Sequence, residues 1–137
     1  MKTHATIALA MLAGTGLGAG AVQVLHAQAQ PPVYYIAEID VTNPEAYAKE
    51  YVPKARALIQ SHGGRFLATG GTGGATTGKV VALDGDAPKR LVVQQWESMA
   101  KIQAWRSDPE FIAHRKVGEQ FAKFRSFAVE GTAQATN

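Results

Sequence analysis

A carboxylate in the middle of a predicted strand is the feature of the sequence most suggestive of chemistry. Glu38 lies in the aromatic and β-branched run Tyr34–Val41, on a strand face that otherwise begins apolar. An acid in such a place is unexpected unless it is ion-paired or acts as a general base. Arg65 and Arg90 each open a later predicted strand, where a guanidinium could pair with Glu38 or hold a substrate carboxylate through two hydrogen bonds. Trp105 offers a flat apolar wall.

These four residues form the predicted catalytic set: Glu38 as base, Arg65 or Arg90 as anion anchor and Trp105 as wall of a cleft. Each also has an ordinary structural interpretation. The glutamate is equally consistent with a cross-strand ion pair, and the tryptophan is equally consistent with the core or an interface. Both interpretations stay open at the level of sequence.

Nucleotide and metal chemistry receive little support. Gly73–Lys79 matches G-x-x-x-x-G-K, but Val80 follows in place of the serine or threonine that would bind magnesium, and no helix pattern begins there. We interpret this segment as a hairpin loop. His62 and His114 lie far apart and neither belongs to a metal-ligand motif. We therefore predict neither a metal nor a cofactor.

The composition of the chain excludes several classes of protein and of functional site. The chain has 137 residues, which suits one domain, and 46% of them are hydrophobic. It contains no cysteine, which excludes disulfides and a cysteine nucleophile. Its 14 basic and 11 acidic residues are dispersed, and its aromatic residues fall on core-like stripes, so nucleic acid is not a predicted partner.

The first 29 residues are typical of a secretory signal peptide. A basic start leads into Ala5–Leu25, which carries no charge, and Ala27-Gln28-Ala29 forms a small-x-small cleavage pattern. Cleavage would follow Ala29 or Ala27, and the alternative is a retained membrane anchor, since the apolar stretch is long enough to span a bilayer. We predict a periplasmic or secreted protein without stable membrane association after cleavage. Residues 30–33 form a lead-in, 34–131 the domain and 132–137 a polar tail.

Hydrophobic periodicity and capping signals predict a mixed α+β domain. Pro53 should bend or briefly break the first helix. The predicted elements, in order, are a strand over Tyr34–Val41, a helix from the Asn43 cap to about His62, strands over Arg65–Thr69, Lys79–Leu83 and Arg90–Trp96, helices over Ser98–Arg106 and from Asp108 to about Phe124, and a strand over Ser126–Glu130.

This order predicts a ferredoxin-like sandwich, an antiparallel sheet with helices on one face. Along one strand, Val92 and Trp96 point away from Leu91 and Val93, so helices on one face leave one apolar set uncovered. A small domain does not expose a large apolar face without a reason. We therefore predict a homodimer that packs sheet to sheet.

Five segments together resemble the domain-of-unknown-function 1330 family of the dimeric α/β-barrel superfamily. The resemblance extends from Tyr34 to Gly131, and the segments that carry it are YYIAEIDV, NPEAY, GGRFLATGG, RLVVQQWES and AWRSDPEF. It implies a ferredoxin-like subunit whose sheet pairs with another, and a ligand cleft between sheet and helices. The activity of the family is not established. Related families include oxygenases, isomerases and haem proteins, so a single histidine as haem ligand is one implied alternative.

Two functional hypotheses follow. In the first, the protein is a cofactor-independent enzyme, oxygenase- or isomerase-like, acting on a small aromatic or carbonyl-bearing molecule. In the second, it is a non-catalytic dimer that binds a small ligand or has a stress-related role in the periplasm, and the polar residues only maintain its structure.

Overall fold

A computed structural model describes residues 30–73 and 78–133 of the protein. The predicted leader and the end of the predicted tail, from residue 134, lie outside these residues. No helix in the described ranges is long and apolar enough to cross a membrane. The elements are β1 (Val33–Val41), α1 (Pro44–Ala46), a π-helix (Tyr47–Tyr51), α2 (Val52–Ser61), β2 (Arg65–Gly71), β3 (Arg90–Trp96), α3 (Met99–Ser107), α4 (Pro109–Glu119) and β4 (Ala122–Glu130).

The four strands form one antiparallel sheet in the order β2-β3-β1-β4. The central strand β1 pairs with β3, so that Ile39 lies opposite Arg90 and Tyr35 opposite Gln94. Its other edge pairs with β4. This topology confirms the predicted ferredoxin-like α+β fold.

Side chains alternate across the sheet, as strand geometry requires. On β1, the odd-numbered residues from Val33 to Val41 are buried. On β3, Arg90, Val92, Gln94 and Trp96 are buried, and the residues between them are half-buried. The buried set contacts the helices and forms the core. We call the other side of the sheet the open face; its apolar residues are Tyr34, Ile36, Leu91, Val93, Phe127 and Val129.

The first helical region begins at the predicted cap and contains a wider turn. The Asn43 side chain accepts a hydrogen bond from the Ala46 amide at 3.2 Å, and Pro44 occupies the first turn. Between Tyr47 and Tyr51 the backbone is π-helical, with the Val52 amide bonded to the Tyr47 carbonyl. Pro53 lacks an amide hydrogen and cannot continue an α-helical ladder into this segment. The interruption predicted at Pro53 is therefore a π-turn just before it.

Two predicted elements differ in the structure. Lys79–Leu83 is not a strand: Gly78 forms one isolated bridge with Gly70, and Val81 and Leu83 are exposed. Although its β-branched residues favour a strand, this segment is exposed and no neighbouring strand among the described residues pairs with it. The last helix ends at Glu119 rather than near Phe124, and β4 begins at Ala122. Helical spacing of the phenylalanines suggested a longer helix, but Phe124 follows the two-residue alternation of β4 instead.

Candidate functional site

A cavity lies between the covered face of the sheet and the helices. Its volume is about 60 Å³, and it is open on one side. Because one water needs about 10–15 Å³ of such space, the cavity has room for about four to six water molecules, or for a small ligand of similar volume. The residues that line it are Tyr35, Ala37, Ile39, Tyr47, Tyr51, Val52, Ala55, Arg56, Ile59, Phe66, Thr69, Arg90, Val92, Gln94, Trp105 and Arg115.

Arg90 brings a buried charge to this cavity. Its position on β3 places it on the covered face, where it is only 6% exposed. The guanidinium lies 5.8 Å from the centre of the Tyr47 ring. Arg90 forms no ion pair with any residue that the structure describes, and its buried Nε has no hydrogen-bond acceptor there. A buried cation with an unpaired donor is costly unless an acceptor reaches it.

Trp105 brings a second unpaired donor. It extends from α3 into the core, where it is 3% exposed and packs against the rings of Tyr35, Trp96 and Phe111. Its buried indole Nε1 has no acceptor among the described residues. The predicted wall residue therefore lines the cavity and also supplies a polar group.

Two tyrosines of the π-helix add hydroxyl groups to the cavity wall. Tyr47 and Tyr51 are buried, with ring centres 5.2 Å apart. Burial raises the pKa of Tyr47 far above its usual value, the neighbouring Tyr51 raises it further, and Arg90 opposes the rise. Burial also raises the pKa of Tyr51, against the opposing charge of Arg115. Both phenols therefore stay protonated at neutral pH and can donate hydrogen bonds but cannot act as bases.

The charges around the cavity are of one sign. Arg56, Arg90 and Arg115 line it, and no described residue in its lining is acidic. Arg56 is exposed, with its guanidinium 4.7 Å from the centre of the Phe66 ring. Arg115 stacks 3.5 Å over the Phe124 ring and pairs at 3.7 Å with Glu119. Because the lining contains cations and neutral donors, the cavity favours an anion.

The structure separates the four predicted catalytic residues into two pairs. Arg90 and Trp105 lie at the cavity, whereas Glu38 and Arg65 lie on the open face. Glu38 is 37% exposed and pairs with Arg125 at 3.3 Å, across the β1–β4 register rather than with Arg65 or Arg90. Arg65 donates to the Gln95 side chain at 2.8 Å. Since neighbouring positions on a strand face opposite sides, the odd-numbered neighbours of Glu38 reach the cavity and Glu38 does not.

His114 has a packing role in the structure. It is buried, its ring stacks on Tyr51 at 5.0 Å, and its Nε2 donates to the Tyr51 carbonyl at 2.8 Å. That nitrogen is therefore not available to a haem iron, so the geometry does not favour the haem alternative. Among the described residues, no group of three or more histidine, aspartate or glutamate side chains could hold a metal ion.

Tyr47, Tyr51, Arg56 and Arg115 supply hydroxyl and charged groups to the cavity and were not among the predicted site residues. The first three lie within the predicted first helix, where they are consistent with ordinary packing and solvent-exposed positions. No sequence pattern distinguishes Arg115 as a cavity residue. The spacing of four residues between the tyrosines was the one available signal, because it places both rings on the side of the helix that carries other apolar residues.

Comparisons with known proteins support the fold. No curated protein matches the sequence. The structure of SnoaB, a cofactor-independent oxygenase from Streptomyces nogalater, is similar with a TM-score of 0.52 at 12% identity, covering 77% of this chain and 96% of SnoaB. RPA0582, a protein of unknown function from Rhodopseudomonas palustris, has a TM-score of 0.55 at 14% identity, covering 77% and 85%. At these identities, the likeness shows a shared fold only.

The sequence of the domain also matches a known family. The match covers residues 32–132, which include all four strands and every helix described above. It confirms the resemblance carried by the five segments of the sequence. The chain belongs to the family described as Domain of unknown function (DUF1330).

Proposed function

We propose that this protein binds a small organic anion in the cavity and acts on it as a cofactor-independent enzyme of the oxygenase or isomerase type. The observation that carries the proposal is the buried guanidinium of Arg90, which has no ion-pair partner among the described residues and whose Nε has no acceptor there, in a lining without any described acid. Both atoms with unpaired hydrogens, Arg90 Nε and Trp105 Nε1, are shielded from water. An acceptor therefore reaches them only after small movements of the cavity wall.

The donors suit the chemistry of both reaction types. Oxygenation and isomerisation of carbonyl compounds without a cofactor proceed through an enolate or phenolate, whose negative charge lies largely on oxygen. Since no described residue of the lining can take the released proton, it passes to water at the open side of the cavity. Fixed donors such as Arg90 and the protonated Tyr47 hydroxyl lower the free energy of such an oxyanion. SnoaB, which has the same fold, is a cofactor-independent oxygenase.

The lining also favours a second candidate, binding without catalysis. Among the described residues of the cavity there is no carboxylate and no histidine that could take a proton from the ligand. Glu38, the predicted base, lies on the open face. In this case the protein is a non-catalytic small-ligand-binding or stress-related dimer.

Binding measurements with paired arginine variants test the proposal. Acetate, pyruvate and benzoate, with their neutral amides as controls, are titrated into the purified full-length chain by calorimetry. We expect at least one anion to bind more tightly than its amide. Arg90→Met should weaken that binding at least tenfold, because a hydrogen bond to a charged group contributes about 1.5–3 kcal/mol. Arg65→Met, which removes the same charge from the open face, should bind as the wild type does.

Absence of binding by every anion contradicts the proposal, as does an equal loss in the two arginine variants. Turnover separates the two candidates. An oxygen electrode detects oxygenase activity on the bound compound, and exchange of its α-protons with deuterated water detects isomerase-type proton removal. Binding with neither signal supports the non-catalytic candidate.

We also propose that two copies pair through their open faces. Six apolar residues occupy this side of the sheet, and Phe127 and Val129 are about half exposed in the single chain. Arg125 and Glu38, paired with each other, lie on the same side. A second copy covers such a surface by two-fold symmetry, since the same patch then meets itself.

A further inference from the structure

The two tryptophans differ in one respect that bears on the ligand. Their rings stack with centres 5.2 Å apart, so they share an environment. The Trp96 indole donates to Gln94 Oε1 at 2.9 Å, whereas the Trp105 indole has no acceptor among the described residues. A buried donor without an acceptor is destabilising, and a ligand acceptor would relieve that cost.

Trp105 and Arg90 lie toward different ends of the cavity. The Trp105 ring packs edge-on against Tyr35, and Tyr35 lies opposite Gln94 on β3. Arg90 is on the same strand, on the same face, and four residues before Gln94. At about 3.3 Å per residue, the Cα atoms of Arg90 and Gln94 lie roughly 13 Å apart along the strand. The Arg90 side chain spans part of this distance, so its guanidinium and the indole suit different groups of one ligand.

The two donors also differ in charge. Arg90 is a cation and prefers an ionised acceptor, while the indole is neutral and lies among aromatic rings, where an unpaired anion would be costly. A neighbouring cation, Arg106, lies 5.9 Å from the centre of the Trp105 ring and already donates to the Tyr35 hydroxyl at 3.1 Å. The indole therefore suits a neutral oxygen.

We propose that the ligand of the cavity is a short oxo acid, whose carboxylate binds Arg90 and whose ketone oxygen accepts a hydrogen bond from Trp105 Nε1. This proposal rests on the anion-binding function proposed above and specifies the chemical class of its ligand. The separation of the donors favours an acid such as 4-oxopentanoate, in which the two acceptors lie several bonds apart. A 2-oxo acid is too short to meet both.

Nuclear magnetic resonance of the ¹⁵N-labelled full-length chain tests this directly, because the chain has two tryptophans and hence two indole N–H signals. We expect 4-oxopentanoate to shift the Trp105 signal strongly and the Trp96 signal little. Pentanoate, which has the same chain length without the ketone, and the shorter pyruvate should leave both signals nearly unchanged. The signals are assigned from the spectrum of the Trp105→Phe variant.

Affinities provide the second measurement. We expect 4-oxopentanoate to bind wild-type protein about fivefold to tenfold more tightly than pentanoate, the factor that one hydrogen bond of about 1–1.5 kcal/mol provides. In Trp105→Phe this ratio should fall to about one. The ratio compares two ligands on one protein, so a general loss of stability does not mimic the result.

Equal affinity of the two acids for the wild type, with no selective shift of the Trp105 signal, overturns the oxo-acid proposal while leaving anion binding intact. A ratio that persists in Trp105→Phe overturns it as well. If no anion binds at all, this proposal and the proposed function fail together. If pyruvate alone shifts the Trp105 signal, the inferred separation of the two acceptors is wrong.

Discussion

At the scale of single residues, the polar groups of the cavity are mainly hydrogen-bond donors that stay protonated. Tyr47 and Tyr51 are buried phenols, and burial raises the pKa of each above its usual value near 10. Arg90 stays charged at all ordinary pH values. The protein therefore presents several hydrogens and no described carboxylate to a ligand in this cavity. Such a site stabilises negative charge on oxygen over a wide pH range.

The raised pKa of Tyr47 predicts a loss of stability in alkali. The unfolded chain releases the phenol proton near pH 10, while the folded protein retains it, so the stabilising contribution is present below pH 10 and declines above it. Between pH 9 and pH 11, we expect the free energy of unfolding of the wild type to fall about 1.4 kcal/mol more than that of Tyr47→Phe. Urea unfolding at the two pH values measures the difference.

Phe124→Leu is the control, because Phe124 packs against the same two tyrosines without a titrating group. It should lower stability equally at both pH values. If Tyr47→Phe and the wild type lost the same stability between pH 9 and pH 11, Tyr47 would ionise equally in the folded and unfolded chains, contrary to its burial.

Two of the four predicted site residues lie at the cavity. Arg90 and Trp105 line it, whereas Glu38 and Arg65 lie on the open face. Strand periodicity separates the residues of a strand into two sets but does not say which set the helices cover. Glu38 lies on a half-buried face, and only the packing of the helices on the odd-numbered side shows that the cavity is elsewhere.

At the scale of elements, the junction between α3 and α4 is held by Asp108. Its Oδ1 accepts the Glu110 amide at 2.8 Å and caps α4, and its Oδ2 lies 3.0 Å from His62 Nε2 at the end of α2. His62 also donates through Nδ1 to the Leu58 carbonyl at 2.8 Å. One carboxylate therefore fixes the start of one helix and links it to the end of another.

Two substitutions distinguish these contributions. Asp108→Ala removes both the cap and the ion pair, and should lower the free energy of unfolding by about 1–2 kcal/mol. Asp108→Asn keeps an oxygen for the cap, so it should cost only about 0.5 kcal/mol, in line with a partly exposed ion pair. Urea unfolding at pH 7 provides the measurement. Ser98→Ala, which removes the cap of α3 without an ion pair, should fall between the two.

An asparagine variant as unstable as the alanine variant would contradict this assignment. It would show that the contact between Asp108 Oδ2 and His62, rather than the helix cap, accounts for most of the stabilisation at this junction.

Elements with a clear period and a cap were predictable. The bounds of β1 and β3, and the starts at Asn43, Ser98 and Asp108, follow from alternation and from side chains that bind amides. Where a segment fitted both the helical and the strand period of hydrophobic residues, the sequence did not decide between helix and strand. The stretch from Gln120 to Phe124 shows this, because the change from helix to strand depends on pairing with β1, which is distant in sequence.

At the scale of the whole molecule, the two faces of the sheet have different roles. The covered face holds the cavity, which is lined by residues of the sheet and of the helices that pack on it. The open face holds apolar side chains that the helices do not reach, including Phe127, which is 44% exposed. Pairing through the open face and ligand binding on the covered face should therefore be separable by substitution.

Phe127→Glu tests this separation. A charge on the open face should prevent pairing, because two copies related by two-fold symmetry would each bury a carboxylate, whereas in the single chain the position is already half exposed. Light scattering at micromolar concentration should give the mass of a dimer for the wild type and of a single chain for Phe127→Glu. Leu83→Glu, at a 90% exposed position outside the sheet, should remain dimeric. The single-chain variant should bind anions within about twofold of the wild type, since Phe127 lies on the open face and Arg90 and Trp105 lie on the covered face. A wild-type mass of one chain would contradict pairing, and a large loss of anion affinity in Phe127→Glu would show instead that the second copy helps to form the cavity.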